Sequence, residues 1–352
     1  MKKFCRKKAG ILMAAMLCLA SCGAADKAEN DFVQVAPVSL ENSEKPQRAA
    51  GADEAAGAAD SGAALNNAGT NTNTNTSTDY NGNGIANAGE PADAETDTLI
   101  NPEGMTLAER IRTPEGYERT AAESGSFMEF LRDYPLKEDG SEILYYDGSK
   151  KTSRNHAAVF AMHLGNRDLQ QCADSVMRIY AEYLRQNGEQ DKIAFHFVSG
   201  FLFDYQTYLN GNKVKVEGNR VSWVSDAKKE DTDEVFEQYL NTVFNYASTI
   251  SLKAEAEKMS IDEAQAGDIF IRAGSPGHVV MIVDVCENGA TGKKAFLLAQ
   301  GYMPAQEFHV LKNELHGDDP WYYEDEITYP FRTPEYVFTE DCLMRPGYLN
   351  SF

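Results

Sequence analysis

The 352-residue chain lacks the features that mark several large protein classes. It has no Gly-rich phosphate loop and no His-Glu-x-x-His segment. Past the N-terminal leader, no two cysteines stand close enough for a zinc-type pair. Those absences leave no reason to expect a nucleotide, a catalytic metal or another cofactor. No apolar run reaches the roughly 18–20 residues of a membrane-spanning helix. Cations are scarce: 33 Lys and Arg stand against 54 Asp and Glu, for a formal net charge of −21. Past the leader there is no basic stripe, so nucleic-acid binding is excluded as a function class. Cysteine is sparse as well, with six residues in all.

What is present begins with MKKFCRKKAGILMAAMLCLASCG. Lys2, Lys3, Arg6, Lys7 and Lys8 precede an apolar run from about Ile11 to Ala20, the layout of an export signal. The run ends in Leu19-Ala20-Ser21-Cys22-Gly23, which resembles the lipobox of bacterial lipoproteins. That resemblance implies cleavage after residue 21, lipid on Cys22, and a mature protein anchored to a bilayer on the exported side of the cell envelope. Two or three acyl chains hold a protein on a membrane stably, where one does not. Losing the leader cations would take the charge from −21 to about −26.

Residues 22–101 are rich in Ala, Asn, Gly, Thr and acid and poor in aromatics, with a run NTNTNTST at 71–78. Such a composition cannot bury enough apolar surface to offset its ordering entropy, and it reads as a disordered tether. Within it, DYNGNGIANAGE matches the calcium-loop template through Asp79, Asn81, Asn83, Gly84 and Glu90. Only two of those ligands are charged, Asn/Thr repeats precede them and Pro91 follows. A chance match in an Asn/Gly-rich segment is the plainer reading, and no metal is expected.

From residue 102 to 352 aromatics, periodic apolar patterns and both tryptophans appear, enough for a single domain. The spacing predicts helices over 126–136, 168–188 and 233–248. Strands are expected at EILYYDG, HAAVFAMHLGN, IAFHFVSG, DIFIR, HVVMIVDV, KAFLLAQGY and EFHVLK, with a hairpin over 213–224. Asp168 is the expected cap of the second helix, with Gln171 completing a capping-box-like pair. Helices first and a mostly antiparallel sheet after them predict an α+β domain. Of the cysteines past the leader and Cys22, Cys172, Cys286 and Cys342 remain, so at least one thiol stays unpaired unless it bonds another chain. If Cys286 pairs with Cys342, the free thiol is Cys172.

That thiol falls in the first turn of the 168–188 helix, where free N–H groups and the helix dipole favour a thiolate. His278 opens the HVVMIVDV strand, a poor place for an imidazole unless something needs it. Asp284, six residues along, would be about 20 Å from that ring at strand rise. Gln300 lies on the next strand. If the hairpin centres on residue 290, Val280 faces Gln300 and His278 is its diagonal neighbour on the same face; a one-residue slip would send Gln300 to the other face.

Gln171-Cys172, Gly267-Asp268, Gly277-His278 and Gln300 together resemble the papain-like cysteine amidohydrolases of bacterial cell walls, the NlpC-type and CHAP-type families. The resemblance implies a papain-like fold with the cysteine helix packed on the sheet. It also implies Cys172 as nucleophile, His278 as base and Gln300 as the group that orients the imidazole. The Cys172 N–H with Gln171 or Gln170 would supply oxyanion donors, and peptidoglycan peptides or another envelope amide would be the substrate. The long interval from Cys172 to His278, with its hairpin and helix, is an insertion relative to those families. Residues from about 103 to 345 also resemble an uncharacterised family of bacterial lipoproteins with DLQQCAD and FLLAQGYMPAQ segments. The competing class is a non-catalytic glycan- or peptide-binding protein on the same scaffold. For that reading Arg220, Trp223 and Trp321 are candidate groove residues.

Overall fold

The computed structural model of the chain describes residues 98–339 and 342–348. Cys22 and the calcium-loop candidates Asp79, Asn81, Asn83 and Glu90 lie outside the described residues.

The described helices are α1 (Leu107–Arg110), α2 (Phe127–Arg132), α3 (Cys172–Gln186), α4 (Tyr205–Leu209), α5 (Asp233–Tyr246) and α6 (Thr249–Ala254). The strands begin with β1 (Tyr117–Arg119), β2 (His156–Val159), β3 (Ala194–His196), β4 (Leu202–Asp204), β5 (Asn212–Glu217), β6 (Arg220–Ser225) and β7 (Ala256–Lys258). They continue with β8 (Ile269–Arg272), β9 (His278–Asn288), β10 (Lys294–Gln300), β11 (His309–Leu311), β12 (Tyr322–Tyr323), β13 (Phe331–Thr333), β14 (Tyr336–Phe338) and β15 (Leu343–Pro346).

Nine strands form one open antiparallel sheet in the order β2-β11-β10-β9-β8-β15-β7, with β1 also pairing β9 and β12 also pairing β10. The domain is therefore α+β, as the run of helices before strands leads one to expect. β9 is buried without a break from His278 to Cys286, and β10 from Ala295 to Gln300. A strand covered on both faces loses the apolar–polar alternation of a half-exposed one, and HVVMIVDVC has none. α2 and α3 pack against β9, while β13 and β14 lay Phe331 and Phe338 against Phe270 of β8, with ring centroids 4.8 and 6.1 Å away. Between α3 and β8 the chain runs through β3–β4, α4, the β5–β6 hairpin, α5, α6 and β7.

Two local expectations change. α3 starts at Cys172 with Gln171 as its cap, so Cys172 is the first helical residue and not the fourth position of a helix capped by Asp168. Asp168 is occupied elsewhere: its Oδ1 accepts from the Ala305 N–H at 2.7 Å and from Gln171 Nε2 at 3.0 Å. Asp174 takes over at the helix start, accepting the Gln171 N–H at 3.0 Å. The EILYYDG segment forms only isolated bridges, Leu144 with Lys150 and Tyr145 with Gln306, because Asp147 and Gly148 turn the chain back at once.

The three cysteines of the domain, Cys172, Cys286 and Cys342, are all free and buried. The pairing weighed for Cys286 and Cys342 is not formed.

Candidate functional site

The β9–β10 register decides whether Gln300 can meet His278. Near the turn, Lys294 pairs Glu287 and Leu297 pairs Asp284. Continued unchanged, that ladder would set Gln300 opposite Met281, on the wrong face for His278. A bulge between Leu297 and Leu298 leaves Val283 as the extra residue, and beyond it Leu298 pairs Ile282 and Ala299 pairs Met281. A bulge inserts one residue and re-aims the side chains beyond it. It brings Gln300 onto the face of His278.

The two then bond: His278 Nε2 and Gln300 Oε1 are 2.7 Å apart. Their roles are fixed by a third group. Gln300 Nε2 donates to Glu335 Oε2 at 2.6 Å, and a carboxylate can only accept. The amide nitrogen therefore faces Glu335 and its oxygen faces the imidazole. An amide oxygen cannot donate, so His278 carries its proton on Nε2 and Nδ1 is the basic nitrogen. Among the described residues Nδ1 makes no hydrogen bond. Glu335 is in turn held by Lys151 Nζ at 2.6 and 2.8 Å. His309, paired across from Gln300 on β11, lies 3.9 Å from the same carboxylate. With the Lys151 ammonium against both of its oxygens, the Glu335 carboxyl is held well below the usual carboxylate range despite its burial, so it stays an anion throughout the neutral range.

Cys172 is placed against this arrangement by close backbone packing. A Cβ on Gly301 would lie 2.5 Å from Ser175 Oγ and 3.0 Å from the Gln171 carbonyl oxygen. Only glycine lets the first turn of α3 come this near the end of β10. Gly277 serves the other strand, since a Cβ there would meet Thr249 Oγ1 at 2.4 Å and Gly274 O at 2.7 Å. The backbone N–H groups of Ala173, of Cys172 itself and of Val279, the residue after His278, face the sulfur. Tyr302 packs on the imidazole, ring centroids 4.7 Å apart, and its hydroxyl lies near enough to Cys172 for a thiolate there to raise it. Tyr336, from β14, covers the imidazole at 4.7 Å.

The electrostatics run against the expectation from the helix terminus. Burial pushes the Cys172 thiol up to about 11, with the nearby Asp174 carboxyl adding to the rise; the facing N–H groups pull down and lose. Cys172 is only 9 % exposed, and a thiolate without water costs more than one helix end returns. Burial also pushes His278 down to about 4, with Gln300 opposing. The resting pair is a neutral thiol and a neutral imidazole.

The remaining candidates separate. Gln170 is turned into the core, its Oε1 accepting from Arg178 Nε at 2.6 Å and its Nε2 reaching Met162 Sδ at 3.3 Å. The Gln171 side chain is tied to Asp168. Neither side chain is free to serve as an oxyanion donor; the Cys172 N–H, at the first helical position, has no partner within the helix. Trp321 is fully buried, its indole donating to the Arg112 carbonyl at 2.8 Å, so it lines no groove. Trp223 is half-buried and stacks on Phe203 at 5.2 Å. Arg220 is exposed beside the β5–β6 turn, opposite Glu217. None of these three is brought to Cys172. Cavities of about 720, 390 and 170 Å³ are lined by residues other than Cys172, His278 and Gln300.

Sequence reasoning missed Tyr302, Tyr336, Glu335 and Lys151. Tyr302 carried a signal, standing two residues after Gln300. Glu335 and Lys151 carried none: one sits in a tight turn, the other in a loop 184 residues earlier.

No curated protein and no solved structure matches the chain. Residues 107–345 match the family described as domain of unknown function (4846), and the match takes in α3, β9, β10 and the turn that carries Glu335. The chain belongs to that family.

Proposed function

We propose that the domain is a cysteine amidohydrolase or peptidase of papain-like type, with Cys172 as nucleophile, His278 as base and Gln300 as its orienting partner. The single observation that carries this is the locked tautomer. Gln300 Oε1 accepts from His278 Nε2 at 2.7 Å, leaving Nδ1 as a base beside the strand end where the Val279 N–H meets the Cys172 sulfur.

Because thiol and imidazole are both neutral at rest, the proton moves during attack and not before it. Nδ1 takes the Cys172 proton as sulfur bonds to the amide carbon. The oxygen of the tetrahedral intermediate gains charge where the free Cys172 N–H can donate. The imidazolium then returns its proton to the leaving amine, and a thioester remains. Water, deprotonated by the same nitrogen, cleaves the thioester and frees the thiol.

The substrate class implied by the NlpC-type and CHAP-type resemblance is a peptidoglycan stem peptide or another envelope amide. The leader and the lipobox-like segment ending at Cys22 support a position on the exported face of a membrane. The test is incubation with stem peptides, mass spectrometry of the products, and acid trapping of an acyl group on Cys172. Cleavage lost in Cys172→Ser and in His278→Ala supports the reading. Cleavage that survives Cys172→Ser contradicts it.

A second reading is a non-catalytic peptide- or glycan-binding protein on this scaffold. What favours it is the small exposure of Cys172, 9 %, with the larger cavities lying elsewhere.

A further inference from the structure

We infer that Glu335, held by Lys151, is a positioning residue that sets the protonation pattern of His278 two side chains away. This rests on the reading of His278 as a base and extends the three-residue set into the β13–β14 turn.

The argument begins from what Gln300 can do alone. A primary amide presents a donor on one side and an acceptor on the other, and rotating it by half a turn exchanges them at little cost. Next to a neutral imidazole both orientations form a good hydrogen bond. One places the proton on Nε2, the other on Nδ1. Only the first leaves Nδ1 able to take a proton from a thiol.

Something outside the pair must therefore choose, and Glu335 does so. Its Oε2 lies 2.6 Å from Gln300 Nε2, a distance that an oxygen–oxygen contact between an amide carbonyl and a carboxylate would make repulsive. The bond to an anion is also stronger than a neutral one, by about twofold. Gln300 is fully buried, so no water competes for either end of its amide.

Lys151 contributes by keeping Glu335 charged and in place. Its ammonium touches both carboxylate oxygens, at 2.6 and 2.8 Å, and its side chain is 7 % exposed. His309 strengthens the choice. Its Nδ1 donates to the Glu307 carbonyl at 2.9 Å, so its Nε2 is an acceptor, and it lies 3.5 Å from Gln300 Nε2. Both hydrogens of the Gln300 amide nitrogen thus find acceptors, and a flipped amide would oppose its oxygen to both.

Glu335 also ties the site to the hairpin that covers it. It occupies the turn between β13 and β14, next to Tyr336, whose ring covers the imidazole and whose hydroxyl is buried without a partner. The Glu335 carbonyl accepts from the Tyr302 hydroxyl at 3.3 Å. One turn closes the imidazole from solvent and orders it.

The test is ¹⁵N NMR of the histidine rings in the full-length protein, which distinguishes Nε2–H from Nδ1–H directly, together with Glu335→Gln and Lys151→Arg. In the unsubstituted protein His278 shows a single tautomer with the proton on Nε2. Glu335→Gln, whose amide can accept or donate, frees Gln300 to rotate, so the Nδ1–H form rises from undetectable to a substantial share. Lys151→Arg preserves the anion and leaves the tautomer unchanged. A proton on Nδ1 in the unsubstituted protein overturns the inference without any variant, which covers the case that Glu335→Gln does not fold. A folded Glu335→Gln with its tautomer unaltered overturns it too. These outcomes read the imidazole and not turnover, so they stay separate from the fate of the hydrolase proposal, which Cys172→Ser decides.

Discussion

β9 has a titratable side chain and a buried thiol near each of its two ends, and the ends are built differently. At the far end Asp284 is fully buried between two cations, Arg119 Nε at 2.7 Å and Arg132 Nε at 2.7 Å, and Cys286 stands two residues on. Arg132 also reaches the Val285 and Thr120 carbonyls, and the Asp284 Oδ1 takes the Val285 N–H at 2.9 Å. Both carboxylate oxygens are matched there, and burial pushes the Cys286 thiol far up. At the near end the charges stop one side chain short of the strand: Lys151 and Glu335 form an ion pair, whereas Gln300 carries no charge and His278 and Cys172 are neutral at rest. Polar groups that only hold a fold tend to be fully matched. Here the chain ends at His278 Nδ1, which makes no hydrogen bond among the described residues and is the base of the proposed reaction.

Breaking the far end has the largest effect on folding. Asp284→Ala leaves Arg119 and Arg132 facing each other over a buried gap. Loss of one partner from a buried ion network costs about 3–5 kcal/mol, to be read from urea unfolding midpoints. A change under about 1 kcal/mol would mean that water reaches the arginines.

Gly301→Ala attacks the near end through its packing. With Ser175 Oγ 2.5 Å from the new Cβ, α3 must shift from β10, at a cost of about 1–3 kcal/mol. Thermal unfolding reads the loss, and a slower reaction at Cys172 reads the displaced helix. If stability falls and Cys172 reacts as before, the thiol does not depend on that contact.

The pH dependence of stability separates the near-end groups. Burial holds Asp174 up at about 8 against an ordinary 3.8, so its contribution is whole below 3.8 and is lost as pH rises through 8. His278 is held down at about 4 against 6.5, so its contribution is present above 6.5 and is lost as pH falls through 4. From pH 6.5 to 8 Asp174 acts without His278, and stability declines with pH. Asp174→Asn flattens that stretch in denaturant titrations at the two pH values. An unchanged slope assigns it to another group.

The smallest effect belongs to Arg220→Ala, on an exposed hairpin far from either network. Stability stays within about 0.5 kcal/mol and Cys172 chemistry is unchanged. A marked loss of substrate affinity would instead bring the hairpin into the function.

Most of the sheet was legible because its strands are marked by composition. DIFIR, HVVMIVDV, KAFLLAQGY and EFHVLK became β8, β9, β10 and β11, and the helices at 168–188 and 233–248 became α3 and α5. Uninterrupted apolar runs and 3.6-residue periodicity survive into structure because burial rewards them. The meeting of His278 with Gln300 was legible only on an assumed register. It comes out as assumed because the bulge cancels a turn one residue off that assumption, and nothing in VDVCENGATG announces a bulge.

The helix start was misplaced because Asp168 looks like a cap and is used to hold Ala305. The thiol's acidity was misjudged because sequence shows a helix terminus and not the depth at which it lies. Glu335 and Lys151 were out of reach, since no local pattern joins a loop to a turn near the other end of the domain.

The most direct test of the account uses the three free cysteines as each other's controls. Iodoacetamide labelling of the folded protein, followed by mass spectrometry, gives a rate for each of Cys172, Cys286 and Cys342, and the measurement is repeated in His278→Gln. The account predicts that Cys172 reacts at least about tenfold faster than the other two and loses that advantage without the imidazole. Cys172 as slow as Cys286 and Cys342, or equally fast without His278, would contradict it and leave this end of β9 as another piece of core.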